Sequence, residues 1–140
     1  MWYIRRNKFK GNILTELNQI YKCEVCGNIV EVVHTGGGTL VCCNQPMKLV
    51  EEHKEDEGFE KHLPALSFEG DKLIVTIGET EHPMTEEHYI EWIEYIVDDE
   101  VQRVYLTPQE KPIASFVLKE DRKYTVRAYC NIHGLWELKM

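Results

Sequence analysis

The sequence predicts a mainly β chain in two parts, a small metal-binding module followed by a β-sandwich. Three observations carry that prediction. Four of the five cysteines fall into two tight pairs, Cys23-Glu24-Val25-Cys26 and Cys42-Cys43. From Met47 onward, short runs rich in Val, Ile, Tyr and Phe alternate with turn residues at the spacing of packed antiparallel sheets. The length of 140 residues, with 43% hydrophobic and 29% charged side chains, suits a small domain plus a medium one.

Residues 1–19 form an N-terminal extension. Ile13, Leu14, Leu17 and Ile20 admit a short amphipathic helix over Asn12 to Ile20, to which no chemistry is assigned. The module spans residues 20–47. Cys-x-x-Cys followed by Gly27 is a tight turn that aims two sulfurs at one ion, and glycine turns there without a Cβ clash. Ile29 to Val33 reads as a strand, and Gly36-Gly37-Gly38 as the loop that returns the chain to Cys42-Cys43. Four thiolates suit zinc or iron in a near-tetrahedral site. The vicinal pair favours iron, because zinc ribbons usually repeat the Cys-x-x-Cys turn. A thioredoxin-like redox pair fits less well, since no βαβ pattern surrounds the motif.

Pro46 ends the module, and residues 48–140 read as the sandwich. Its candidate strands are Met47 to Glu52, Lys72 to Ile77, Tyr89 to Val97, Val101 to Leu106, Ile113 to Leu118, Lys123 to Tyr129 and Leu135 to Lys139. Glu69-Gly70-Asp71, Asp98-Asp99-Glu100 and Lys119-Glu120-Asp121 supply turns between them. Tyr89, Trp92, Ile93, Ile96 and Val97 also fit a helical stripe, but aromatic and β-branched content favours a strand.

Charge narrows the function. The net charge is −8, yet residues 1–22 carry five basic side chains against Glu16. The body beyond is therefore strongly acidic, which argues against nucleic-acid binding. The basic tip reads as a solvated tail. No apolar run approaches the ~20 residues of a membrane span, and Met1 to Ile20 lacks the core of a signal peptide. The expected location is the cytoplasm, where cysteines serve metal or redox chemistry rather than disulfides.

The fifth cysteine stands in Cys130-Asn131-Ile132-His133-Gly134, where thiol and imidazole can reach one ion. Of the six histidines, His34 beside the glycines and His53 in a charged run read as ordinary. His62 precedes Leu63-Pro64, His82 precedes Pro83, and His88 stands at the mouth of the next strand. Their shared placement at strand ends makes them candidate ligands with Cys130 and His133.

In that combination the chain resembles desulfoferrodoxin, the two-iron class of superoxide reductase, over roughly residues 20–140. The matching motifs are the four cysteines, Glu60-Lys61-His62-Leu63-Pro64, His82-Pro83-Met84 with His88, and Cys130-Asn131-x-His133-Gly134. The extension at residues 1–19 departs from the family pattern. The resemblance implies a desulforedoxin-like module whose iron is held by Cys23, Cys26, Cys42 and Cys43. It implies an immunoglobulin-like sandwich with a second iron, bound equatorially by His62, His82, His88 and His133 and axially by Cys130. Glu60 would reach the sixth position once that iron is oxidised, and Lys61 would flank the open site. The implied substrate is superoxide, the donor a rubredoxin-like protein, and the assembly a homodimer.

Four neutral imidazoles and one thiolate leave a ferrous site with a charge of about +1 and a vacant position, which suits a small anion. The acidic body repels superoxide, but salt screens that field over roughly 8–10 Å, so a local cation dominates; Lys61 is the candidate. Two other readings stay open on the residues alone. One is a non-catalytic iron electron carrier, the other a zinc-stabilised binding module.

Overall fold

A computed structural model describes residues 14–54, 62–78, 82–119 and 122–140. The described residues form thirteen strands and no helix, divided into two compact units at residues 1–51 and 52–140. No helix among them is long and apolar enough to cross a membrane.

In the first unit, β1 (Ile20–Lys22) pairs antiparallel with β2 (Ile29–Glu31) and β5 (Lys48–Leu49), while β3 (Val41–Cys42) and β4 (Gln45–Pro46) form a hairpin. The helix expected over Asn12 to Ile20 is not found from residue 14 onward, and residues 12–13 lie outside the described part. Asn18 takes φ 72, Gln19 N donates to the Glu16 carbonyl, and Ile20 opens a strand. The segment instead pairs with the module: Thr15 N donates to Gly36 O at 2.9 Å and Asn18 N to Val32 O at 3.0 Å. Backbone pairing with a neighbour outweighs a weak local preference. Pro46 lies inside β4, and Leu49 pairs with Tyr21, so pairing in this unit continues past the proline. The strand expected over Met47 to Glu52 is two strands, β5 here and β6 (Glu52–His53) in the second unit.

The second unit is a β-sandwich. One sheet has the order β10-β9-β12-β13-β6 and the other β11-β8-β7. The elements are β7 (Pro64–Glu69), β8 (Lys72–Ile77), β9 (Ile90–Val97), β10 (Glu100–Tyr105), β11 (Ile113–Val117), β12 (Thr125–Cys130) and β13 (Gly134–Lys139). Alternation places Leu73, Val75 and Ile77 of β8 in the core with Ile93, Tyr95, Val97, Val126, Ala128 and Phe116. Each such aliphatic side chain contributes roughly 1.5–3 kcal/mol on burial. The aromatic and β-branched run at 89–97 is a strand, as its content favours. β7 was hidden by Pro64, which sits where proline is tolerated, at the first residue of an edge strand. Gly70 and Asp98, both at positive φ, close two-residue hairpins after β7 and β9.

One sheet face carries charge. Glu94 and Arg127 are almost fully buried, and Arg127 Nε donates to Glu94 Oε1 at 2.9 Å. Arg103 Nε donates to the other carboxylate oxygen at 2.9 Å, and Glu52 lies 3.4 Å from the Arg127 guanidinium. These groups come from β10, β9 and β12, which are adjacent, and from β6, which lies beyond β13, so the network ties separate strands of one sheet together.

Candidate metal centres

The first unit gathers Cys23, Cys26, Cys42 and Cys43 with their sulfurs within 4.8 Å of one another. Cys26 Sγ lies 3.6 Å from Cys42 Sγ, and Cys42 Sγ 4.0 Å from Cys43 Sγ. A tetrahedron with ~2.3 Å metal–sulfur bonds has edges of ~3.8 Å, so the four sulfurs fit a tetrahedral ion. Two turns do the placing. Gly27 at φ 86 closes the Cys-x-x-Cys turn, with Gly27 N donating to Cys23 O at 2.9 Å. Cys43 and Asn44 at φ 54 and φ 61 form the primed turn between β3 and β4. That left-handed backbone brings the two adjacent sulfurs onto one side, which an ordinary strand would not do.

The thiols are electrostatically unequal. Backbone amides of Cys26 and Val25 stabilise the Cys23 thiolate and lower its pKa to about 7. Its neighbours hold Cys43 up, to about 12, by hydrogen bonds from Cys26, Cys23 and Cys42. One thiolate forms readily and disfavours the next, so a cation is what allows all four to ionise.

The second unit brings four imidazoles into a closed cycle. Ring centroids lie 4.8 Å apart for His62 and His82, 4.7 Å for His82 and His88, 5.0 Å for His88 and His133, and 4.7 Å for His133 and His62. Each pair meets edge to face, at 66° to 82°. His62 Nε2 is 3.0 Å from His133 Nδ1, which matches the ~3.0 Å between adjacent corners of a square with ~2.1 Å metal–nitrogen bonds. Cys130 is fully buried, with its sulfur 3.8 Å from His133 Nδ1. The ligand atoms of His62, His88, Cys130 and His133 lie within 4.8 Å of one another. His82 completes the ring cycle. Its Nδ1 bonds the Pro83 carbonyl at 2.7 Å, while its buried Nε2 has no hydrogen-bond partner among the described residues. A buried nitrogen left so is costly unless something binds it. The fixed Nδ1 leaves that nitrogen as the lone-pair donor.

Burial lowers the His82 pKa to about 4, which keeps the ring neutral. Burial also pushes the Cys130 thiol up, against the stabilising amides of His133 and Ile132. His133 N donates to Cys130 Sγ at 3.4 Å, so the sulfur's electron density is drawn partly toward the backbone. Four segments supply the donors: the approach to β7 (His62), the loop before β9 (His82 and His88), the end of β12 (Cys130) and the hairpin after it (His133). Gly134 at φ 87 closes that hairpin.

Glu60 and Lys61 lie outside the described residues. His34 and His53 join neither cluster, as their sequence context suggests. The sequence did not single out Trp136, whose ring stacks on His62 at 4.5 Å and 13°, with His53 on it at 4.5 Å. The strand register reveals it, because Trp136 pairs with Ala128, two residues before Cys130 on the same face.

The family model "Desulfoferrodoxin, N-terminal domain" matches residues 15–50, and "Desulfoferrodoxin" matches residues 54–139. A desulfoferrodoxin homolog of Archaeoglobus fulgidus is 58% identical over 124 residues, covering 89% of this chain and 98% of that protein. The superoxide reductase of Treponema pallidum shares the fold, with a TM-score of 0.65 and 24% identity over 93% of this chain and 100% of that one. A one-iron superoxide reductase of Giardia intestinalis superposes with a TM-score of 0.52 and 31% identity, over 58% of this chain and 97% of that one.

Proposed function

The chain belongs to the desulfoferrodoxin family, and from that premise we propose that it is a superoxide reductase, an oxidoreductase holding two iron ions. The observation that carries the reading is the closed cycle of four imidazoles with a buried thiol beside it. An electron carrier needs only the four-cysteine centre, and a zinc module needs neither the histidine cycle nor Cys130.

Cys23, Cys26, Cys42 and Cys43 would hold the first iron; His62, His82, His88, His133 and Cys130 would hold the second. Bound there in the ferrous state, the second iron supplies the single electron that turns superoxide and two protons into hydrogen peroxide. The chain's own part is to set charge and access. Four neutral rings and one thiolate leave the loaded ferrous site with a charge of about +1, which favours an anion. Among the described residues of the centre, His133 is exposed whereas His62, His82 and Cys130 are buried. The amide of His133 limits how strongly the sulfur donates. Lys61, next to His62 in sequence, would supply the local cation that draws superoxide against the acidic body, and Glu60 would supply a carboxylate to the iron once it is oxidised.

Electrons arrive from a rubredoxin-like donor, and the protein works as a cytoplasmic homodimer; the family resemblance supports these three assignments. No disulfide joins any of the five cysteines. Replacing Cys130 with Ser tests whether its thiolate would hold the second iron. The variant should fold, keep the iron of the four-cysteine centre and lose superoxide reduction; undiminished turnover would remove the thiolate from the chemistry.

A further inference from the structure

Asn131 belongs to the Cys130-to-Gly134 motif, yet none of the roles above uses it. Its three hydrogen bonds all go to one place. Asn131 N donates to Tyr89 O at 3.2 Å. Tyr89 N donates to Asn131 Oδ1 at 3.0 Å, and Asn131 Nδ2 donates to Glu87 O at 3.1 Å. Glu87 and Tyr89 are the two chain neighbours of His88. The side-chain amide therefore grips the backbone on both sides of one candidate ligand, while Asn131 itself adjoins another, Cys130.

The backbone at this point explains why such a grip is useful. The β9–β12 ladder runs in register from Thr125↔Ile96 to Tyr129↔Trp92, then shifts so that Cys130 faces Ile90. Glu91 is skipped, and the regular pairing ends at that bulge. Beyond it, a carbonyl and an N–H flanking His88 point to the same side. A carboxamide offers one acceptor and one donor at the right separation to meet both, as a further strand residue would. The backbone bonds between His88 and Thr85 lie within the loop itself: His88 N donates to Thr85 O at 3.2 Å, and Thr85 N to His88 O at 2.9 Å. They shape the loop without fixing it to the Cys130 turn.

We propose that Asn131 is a positioning residue, whose carboxamide extends the β9–β12 ladder past its bulge and locks the His88 loop onto the turn bearing Cys130 and His133. It touches no substrate. It holds His88 and His133, whose rings stand 5.0 Å apart, in the relative placement that a shared ion requires. This inference rests on the five-ligand reading of the second centre. Hydrogen-bonding partners behind metal ligands are commonly worth 10–100-fold in metal affinity.

The test uses the full chain loaded with iron, the parent beside Asn131→Ala and Asn131→Asp. Three quantities are read: iron per chain during a chelator challenge, amide hydrogen exchange at Tyr89 in metal-free protein, and exchange in the β8 core. Asn131→Ala should release one of two irons at least tenfold faster and speed Tyr89 exchange at least tenfold, with β8 protection unchanged. Asn131→Asp keeps the acceptor for Tyr89 N but loses the donor to Glu87 O, so it should fall between. Iron release at the parent rate in both variants would overturn the proposal. Loss of β8 protection in both would also overturn it, by making Asn131 a residue of the fold rather than of the site. A parent chain that binds only one iron would refute the five-ligand reading, and accelerated Tyr89 exchange in Asn131→Ala would still support the tie itself.

Discussion

At the scale of single residues, the second centre depends on keeping its buried imidazoles uncharged. His82 shows this most clearly, because burial takes its pKa from 6.5 to about 4. Metal-free protein should therefore lose stability as pH falls through that window. The unfolded chain takes up a proton from about pH 6.5 downward, whereas the folded ring resists until about pH 4, so protonation favours unfolding in between. The loss from this group should be on the order of 2–3 kcal/mol. Denaturant titrations at several pH values check it: the slope between pH 6.5 and 4 should flatten in His82→Gln, and an unchanged slope would contradict the assignment. Cysteine and histidine were legible as candidate ligands from the sequence, since few other roles explain two sulfur pairs and a Cys-x-x-His turn. Asn131 and Trp136 were not. A carboxamide or an indole has many uses, and only the bulge at Cys130 and the register with Ala128 reveal these two.

At the scale of elements, the strands that the sequence disclosed are those whose alternation is strong. Lys72 to Ile77 is found with the expected ends, and the run at 89–97 begins one residue late. The missed elements have physical reasons. Pro64 masked β7, and β5 and β6 are two-residue strands whose pairing comes from distant chain rather than local pattern. The ion-pair network across the large sheet was equally invisible, because its members come from four separate strands. It makes a sharp prediction. Glu94→Ala leaves the Arg127 guanidinium, buried in that sheet, without its 2.9 Å carboxylate partner. The change should cost about 3–5 kcal/mol, as removal of one partner from a buried pair does. Equilibrium unfolding measures it, and a loss below 1 kcal/mol, the range of exposed pairs, would show the network to be dispensable. Gly134 sits at φ 87 in the hairpin between Cys130 and β13. Gly134→Ala should destabilise by about 1–2 kcal/mol from the left-handed backbone alone, since the nearest atom to a new Cβ is a comfortable 3.8 Å away.

At the scale of the whole molecule, two compact units each assemble one donor set from their own residues. Loss of one centre should therefore spare the other. Cys26→Ser should lower iron from two per chain to one and leave the unfolding of the sandwich unchanged; coincident loss of both irons would contradict separate centres. Whether that variant still turns over with an external donor decides between a relay and a structural staple for the first iron. The central claim is that this chain reduces superoxide rather than dismuting it. Adding substoichiometric superoxide to the fully reduced protein without air, and counting products, tests it most directly. A superoxide reductase should yield one hydrogen peroxide for every superoxide consumed, with no dioxygen released; one dioxygen for every two superoxides would show dismutation instead.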